Sequence, residues 1–198
     1  SGGPKLNKSK ILITGGTGSL GSELTKKWAS EGHRITVVSR DPHKQAALAR
    51  EVPDVVFILS DICNVSEMRR ACEGQDILIH TAALKQVDSG EFHPIEFERV
   101  NVQGTAIVAE AWAVTHGSFD NKVLLISSDK AVSALNVYGA TKKVAEATFR
   151  KYNYSVLRYG NVVSSAGSFL HLWREAADKG EPIQLRMPEP TRFFLTMA

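Results

Sequence analysis

The sequence is poor in residues that cross-link or anchor a chain. Only two of its 198 residues are cysteines, Cys63 and Cys72, and their spacing matches no metal-binding pattern. We expect both to be reduced thiols of a cytoplasmic protein. No apolar run approaches the roughly 20 residues of a membrane-spanning helix, and we expect no secretion leader. The sequence thus argues against a disulfide scaffold, a membrane span and a metal centre.

Excess charge is also small. The chain has 24 Lys and Arg residues against 21 Asp and Glu, a net charge of +3. It lacks a dense basic stripe of the kind that contacts nucleic acid, so nucleic acid is not an expected partner. The surplus positive charge can serve a small anionic ligand. With 43% hydrophobic residues, the chain can bury a core of its own.

What the chain does contain is a regular alternation of apolar strands and amphipathic helices. The predicted strands are residues 11–13, 35–38, 55–59, 76–80, 122–127 and 155–158. The predicted helices are residues 23–30, 42–50, 66–72, 94–114, 137–151 and 169–178. Because parallel neighbours need crossover connections, this order predicts an α/β fold with a doubly wound parallel sheet. Ligands of such sheets bind at the carboxyl ends of the strands.

A glycine-rich turn, residues 14–21, joins the first strand to the first helix. Gly15 permits a tight turn, Gly18 lets backbone N–H groups approach a pyrophosphate, and Gly21 allows close helix packing. The helix N-terminus favours the anion. The turn predicts a Rossmann dinucleotide site with these contacts: Gly15, Thr17, Gly18, Ser19, Leu20 and Gly21.

The end of the second strand bears on the choice of cofactor. An NAD site normally has an acidic residue here, whereas this strand ends in Ser39-Arg40-Asp41, with Lys44 nearby. Ser39, Arg40 and Lys44 suit a 2′-phosphate, which predicts NADP. Asp41 could instead accept from the ribose hydroxyl of NAD, so NAD is the less favoured alternative.

After the third strand, Asp61 and Ile62 are placed to meet the adenine ring. The alternative for Asp61 is a helix cap.

Two pairs of ionisable side chains are the predicted catalytic groups. Tyr138 and Lys142 stand four residues apart on one helix face, where the ammonium favours a phenolate that removes a hydroxyl proton. Asp129 and Lys130 follow the fifth strand, at the carboxyl edge of the sheet. Adjacent charges are commonly a solvated surface pair, but this position favours a catalytic role. We therefore predict Asp129, Lys130, Tyr138 and Lys142 as catalytic residues.

Taken together, the motifs resemble the inverting UDP-N-acetylglucosamine 4,6-dehydratases of bacterial polysaccharide and flagellin-sugar biosynthesis, a branch of the extended short-chain dehydrogenases. The resemblance covers nearly the whole chain, and Asp129-Lys130 is its most discriminating element. Its other motifs are Thr14–Ser19, Ser39-Arg40-Asp41, Ala82-Ala83-Leu84-Lys85, Asn101-Val102-Gln103-Gly104, Tyr138-Gly139-Ala140-Thr141-Lys142, Arg158-Tyr159-Gly160-Asn161-Val162 and Thr191-Arg192-Phe193.

The resemblance implies additional ligand contacts. For the cofactor these are Ala82, Ala83, Lys85, Asn101, Ser127, Tyr138, Lys142, Tyr159, Asn161 and Val162. For a UDP-sugar substrate they are Lys85, Asn161, Ser168 and Arg192. It also implies a homo-oligomer.

The implied reaction starts with hydride transfer from C4 of the sugar to NADP⁺ while Tyr138 accepts the hydroxyl proton. Lys130 then removes the C5 proton, Asp129 assists loss of the C6 hydroxyl, and hydride returns to C6 with inversion at C5. The chain departs from the family pattern at Gln86, where histidine is commoner, and at Ala134, where proline is usual.

Length is a further departure. We expect residues 1–8 to be a tag remnant or flexible N-terminus, residues 9–180 the NADP-binding domain, and residues 181–198 the start of a truncated substrate-binding segment. Two alternatives therefore stay open. One is a nucleotide-sugar 4-epimerase of the same fold, which needs Tyr138 and Lys142 but no elimination. The other is a module that holds NADP without catalysis.

Overall fold

The computed structural model describes residues 8–117, 122–162, 178–179 and 194–195. The chain divides into two compact units, Ser1–Leu157 and Arg158–Ala198. The strands are β1 (Lys10–Thr14), β2 (Arg34–Ser39), β3 (Val56–Leu59), β4 (Ile77–His80), β5 (Val123–Ser128), β6 (Ser155–Tyr159), β7 (Asn161–Val162) and β8 (Phe194–Leu195).

The first six strands form one sheet in the order β3-β2-β1-β4-β5-β6. Pairing is parallel from β3 through β5, with Ile13 opposite Val37 on one side and Ile79 on the other. The order reverses between β1 and β4, which is the point where doubly wound sheets bind ligands. The predicted fold class is confirmed. In the second unit β7 pairs with β8.

Seven α-helices are described between the strands. They are α1 (Ser19–Ser30), α2 (Pro42–Glu51), α3 (Val65–Cys72), α4 (Val87–Phe92), α5 (Pro94–Glu98), α6 (Thr105–His116) and α7 (Val137–Lys151). A π-helical segment, Arg99–Gly104, joins α5 to α6, and a 3₁₀ turn, Asp129–Ala131, follows β5.

The helices differ from prediction in three places. Helix α1 begins four residues earlier than predicted, at Ser19. The single helix predicted for residues 94–114 is divided into α5, the π-helical segment and α6. Helix α4 was not predicted, because six residues that include Gly90 give a weak helical pattern. The helix predicted for residues 169–178 lies outside the described residues apart from Asp178.

The core lies between the sheet and its covering helices. Leu12 of β1, Leu125 of β5, Trp112 of α6 and Phe149 of α7 are all fully buried. The central strands are apolar on both faces, as expected for a parallel sheet covered by helices. Cys63 and Cys72 are free thiols. No helix in the described ranges combines the length and the apolar character needed to cross a membrane.

Candidate active site

The glycine turn brings the ends of β1 and β4 into contact. Gly15 has φ +72° and its N–H donates to the Val38 carbonyl at 2.8 Å. A Cβ at this position would lie 2.6 Å from the backbone nitrogen of Ala82. Glycine is therefore required both for the left-handed backbone conformation and for the close approach of the two chain segments.

This turn leads into an open helix N-terminus. Gly18 is the N-cap of α1, no side chain caps the helix, and its first turn contains no acidic residue. The first N–H groups of an α-helix have no partner within the helix and attract anions. Thr17, Ser19 and Leu20 are half-buried around the turn. The arrangement fits a pyrophosphate, and the residues predicted for that role lie together here.

At the end of β2, part of the predicted 2′-phosphate site is already engaged. Ser39 is buried and its Oγ accepts from Nε2 of Gln45 at 2.9 Å. Asp41 is the N-cap of α2 and accepts from the N–H groups of His43 and Lys44, each at 3.0 Å. These bonds, with the Lys44 N–H first in effect, lower the pKa of Asp41. Lys44 extends into solvent, with its Nζ 3.8 Å from Asp41.

Arg40 and Asp61 belong to a four-residue ion network, with Glu96 and Arg99, that the sequence did not predict. Nη1 of Arg40 lies 3.5 Å from both the Asp61 and the Glu96 carboxylates. Arg99 donates to Asp61 at 3.0 Å and to Glu96 through two bonds of 2.8 Å. Burial raises the pKa of Asp61, but the Cys63 N–H and Arg99 outweigh it and the pKa is lowered.

The alternative reading of Asp61 as a helix cap is wrong, because Asn64 caps α3. Asp61 instead accepts from the Cys63 N–H at 2.9 Å. Ile62, the other predicted adenine contact, is buried at 4% exposure. A Cβ on Gly104 would lie 2.7 Å from its side chain, so Ile62 packs directly against the π-helical segment. Ile62 therefore belongs to the core.

Tyr138 and Lys142 lie on one face of α7, whose N-cap is Asn136. Both side chains are buried, at 8% and 3% exposure. Nζ of Lys142 donates to the Ile126 carbonyl at 2.8 Å, which fixes the amine against β5. Burial lowers the pKa of Lys142 to about 8, opposed by the nearby charge of Glu146. The predicted spacing therefore yields a buried amine one helical turn from a buried phenol.

Glu146, one turn beyond Lys142, was missed by the sequence analysis. It is fully buried, accepts from Ser127 Oγ at 2.6 Å and from Arg150 at 3.0 Å. Ser127 is a predicted cofactor contact, and its hydroxyl donates a hydrogen bond to Glu146. The four-residue spacing from Lys142 was the signal available in the sequence.

The Asp129–Lys130 pair lies on the 3₁₀ turn after β5. Oδ1 of Asp129 accepts from Ser128 Oγ at 3.0 Å and from Lys130 Nζ at 3.2 Å. Both side chains are about 70% buried, since their exposures are 29% and 28%. A Cβ on Gly139 would collide with the Lys130 carbonyl oxygen. The turn therefore rests directly on the first turn of α7, next to Tyr138.

Asn101 has a positioning role within the fold. It is 1% exposed on the π-helical segment, a form of helix frequent at functional sites. Its Oδ1 accepts from the Leu84 N–H at 2.8 Å, and its Nδ2 donates to the Leu84 carbonyl at 2.9 Å and to Thr141 Oγ1 at 3.1 Å. Predicted as a cofactor contact, its amide instead holds the loop of residues 82–85 to α7.

That loop carries other predicted ligand contacts. Ala82 and Ala83 are half-buried, and Lys85 is exposed. Desolvation and then the charge of Lys44 lower the pKa of Lys85, so two ammonium groups act on the same region. Tyr159 is half-buried on β6, and Asn161 and Val162 form β7. Ser168 and Arg192 lie outside the described residues. No group of His, Cys, Asp and Glu within the described ranges could hold a metal ion.

Comparison with known proteins identifies the family. Residues 11–198 match the family described as "Polysaccharide biosynthesis protein". The chain is 34% identical to a Rickettsia canadensis UDP-glucose 4-epimerase, over 94% of this chain and 59% of that protein. It is 32% identical to a Campylobacter jejuni UDP-N-acetylglucosamine 4,6-dehydratase (inverting), over 96% of this chain and 60% of that protein.

Solved structures agree with this family. The structure of Pen from Bacillus thuringiensis superposes with a TM-score of 0.89 at 29% identity, over 96% of this chain and 61% of that one. Others of the same fold hold NAD. The chain spans about 60% of the length of these relatives. It belongs to the polysaccharide biosynthesis protein family and has the fold of the extended short-chain dehydrogenases.

Proposed function

We propose that this chain forms the NADP-binding and catalytic core of a 4,6-dehydratase that converts UDP-N-acetylglucosamine to a 4-keto-6-deoxy sugar with inversion at C5. One observation carries the proposal. The half-buried Asp129–Lys130 pair rests on the first turn of α7, beside Tyr138 and Lys142. Hydride transfer at C4 needs only the phenol and the amine, whereas elimination across C5 and C6 also needs an acid and a base.

The residues around the glycine turn fit a dinucleotide. The uncapped N-terminus of α1 suits the pyrophosphate, and Arg40 and Lys44 suit a 2′-phosphate. A dinucleotide held by these residues would supply a reversible hydride acceptor. One carboxylate oxygen of Asp41 accepts from two N–H groups at the start of α2. Asp41 is therefore less able to accept from the ribose hydroxyl of NAD. This favours NADP in our proposal.

Tyr138 and Lys142 would carry out the oxidation half. Below its pKa of about 8, Lys142 is an ammonium one helical turn from the phenol, and this charge stabilises the phenolate. The Lys142 Nζ donor bond to the Ile126 carbonyl fixes its position. Tyr138 then takes the C4 hydroxyl proton as the hydride leaves the same carbon.

Asp129 and Lys130 would carry out the elimination. Lys130 removes the C5 proton, which the 4-ketone has acidified, the C5–C6 double bond forms, and the C6–O bond breaks as Asp129 donates a proton to the departing water. This step needs a neutral amine and a protonated acid. That state has the same total number of protons as the ion pair, whose Nζ–Oδ1 distance is 3.2 Å. Transfer of one proton from Lys130 to Asp129 would produce it.

A 4-epimerase is the second candidate, because epimerases are among the relatives with 34% identity. It would need Tyr138 and Lys142 but not Lys130. A third possibility is an NADP-binding module without catalysis, since the chain spans about 60% of its relatives. Calorimetry separates this module from the two enzymes, because the module binds NADP⁺ and gives no response to UDP-sugars.

The decisive test is incubation of UDP-N-acetylglucosamine and NADP⁺ with this chain and with a version extended to the length of its relatives. A 4-keto-6-deoxy product is expected from the extended version. Lys130→Ala should abolish that product, whereas Lys143→Ala, at an exposed position of α7, should leave it unchanged. An extended protein that forms no keto sugar would disprove the dehydratase proposal. Persistent C4 epimerisation in Lys130→Ala would establish the epimerase instead.

A further inference from the structure

The ion network at the ends of β2 and β3 contains two arginines and two carboxylates. Arg40 follows β2, Asp61 follows β3, Glu96 lies on α5, and Arg99 opens the π-helical segment. Their formal charges sum to zero. The structure therefore holds a balanced cluster at the position predicted for the adenosine end of the cofactor.

The two arginines are held very differently. Arg99 makes three donor bonds of 2.8 to 3.0 Å to Asp61 and Glu96. Among the residues that the structure describes, Arg40 makes two ion-pair contacts, both at 3.5 Å, and its side chain is 45% exposed. Contacts of that length are at the limit of hydrogen bonding. An incoming anion could recruit Arg40 at little cost, whereas Arg99 stays bound to its carboxylates.

We infer that Glu96 is a specificity-determining residue for the cofactor: it competes with a 2′-phosphate for Arg40 and so weakens the preference for NADP over NAD. The inference rests on the proposed function. A 2′-phosphate carries a charge of about −1.5 to −2. Any group that bonds to Arg40 shares that guanidinium with a carboxylate oxygen 3.5 Å away. A 2′-hydroxyl is neutral and meets no such repulsion.

Glu96 fits this role better than Asp61. The bonds from Arg99, followed by those from Arg40, lower the pKa of Glu96, so its carboxylate stays charged at neutral pH. Asp61 also accepts from the Cys63 N–H and is the predicted adenine contact, so its removal would disturb binding of both cofactors. Glu96 lies on α5, outside the elements predicted to contact the cofactor, and is 44% exposed.

The expected effect follows from Coulomb's law. A unit charge roughly 7 Å from a phosphate, in water and at about 0.1 M salt, changes its affinity about threefold. Glu96→Gln keeps the side-chain length and an oxygen for Arg99, and should tighten NADP⁺ binding by about threefold. Glu96→Lys should tighten it about tenfold. NAD⁺ affinity should stay the same in both variants.

The test is isothermal titration of this chain with NADP⁺ and with NAD⁺. Glu98→Gln is the matched control, because Glu98 lies on the same helix and accepts instead from Gln103 at 2.8 Å. The gain should be smaller when Arg40→Gln is added to Glu96→Gln, because only the direct repulsion between Glu96 and the phosphate is then relieved, and it should shrink in 0.5 M salt. Glu96→Ala, which removes the carboxylate without adding a charge beside Arg40 and Arg99, provides the measurement if the glutamine variant is poorly folded.

Equal changes for the two cofactors, or no change, would overturn this inference and leave the proposed function in place. A wild-type chain that binds neither cofactor would overturn both.

Discussion

His80 offers a direct test of the core beneath the glycine turn. The imidazole is completely buried at the end of β4. Its Nδ1 lies 2.6 Å from Thr14 Oγ1, one residue before Gly15, and its Nε2 lies 3.0 Å from Thr105 Oγ1. Burial, with a smaller contribution from the charge of Lys142, lowers the pKa of His80 to about 3. The folded chain should therefore hold a neutral imidazole throughout the range from pH 5 to 8.

The cost of this burial appears on acidification. An unfolded histidine has a pKa of about 6.5, so between pH 6.5 and pH 3 the unfolded chain binds a proton that the folded chain does not. The stability that His80 supplies is complete above pH 6.5 and is lost as the pH falls towards 3. Because pH 5 lies about 1.5 units below the unfolded pKa, the unfolding free energy at pH 5 is lower by about 2 kcal/mol.

The perturbation is His80→Gln, which cannot titrate but can bond to the two threonine hydroxyls. Urea unfolding at pH 7.5 and pH 5 gives the change in unfolding free energy for each variant, and contributions from all other groups cancel in the comparison. Wild type should lose about 2 kcal/mol more than His80→Gln. The control His43→Gln, at an exposed position of α2, should behave like wild type. Equal losses in wild type and His80→Gln would refute a neutral buried imidazole.

Three further substitutions, with Gly74→Ala as a control, test the site's scaffold. Gly15→Ala adds both left-handed strain and a collision with the backbone of Ala82, so urea unfolding should show a loss of about 2–4 kcal/mol. Gly74→Ala, with φ +66° and open space, should show only the strain, about 1–2 kcal/mol. The buried Lys142 amine destabilises the folded chain less as the pH rises from 8 towards the unfolded pKa of about 10.5, because the unfolded chain then loses its extra proton. Between pH 7 and pH 9.5 wild type should therefore gain about 2 kcal/mol relative to Lys142→Met. Asn101→Ala leaves both backbone groups of Leu84 without their partner and should cost about 2–4 kcal/mol in the same assay.

The sequence predicted the sheet well, because each strand of a covered parallel sheet is a short apolar run that local pattern reveals. It also predicted helix for residues 94–114 but did not reveal the π-helical segment within it. The π-helical segment there contains Asn101, whose side chain bonds to Leu84 and Thr141, 17 and 40 residues away in sequence. Helical periodicity carries no information about such distant partners.

Within the site, features set by local spacing were predictable, whereas partners distant in sequence were not. The glycine turn and the Tyr138–Lys142 pair are patterns of local spacing. Local spacing therefore predicted the turn after β1 and the shared helix face of Tyr138 and Lys142. Ser127 is a predicted cofactor contact, and its hydroxyl donates to Glu146, 19 residues further along. Arg40 was assigned to a phosphate, yet it contacts Glu96, 56 residues away. Spacing identifies which side chains matter, and the folded chain decides which partner each one meets.

The central claim is that Asp129 and Lys130 convert a C4 oxidation site into a site of elimination. The most direct measurement is turnover of UDP-N-acetylglucosamine in D₂O by the extended protein, with the product analysed by NMR and mass spectrometry. We predict a 4-keto-6-deoxy sugar that carries one solvent deuterium at C5, since Lys130 removes the proton from one face and inversion requires a solvent-derived proton to be added on the opposite face. Recovery of the C4 epimer alone, with no deuterium at C5, would contradict the account.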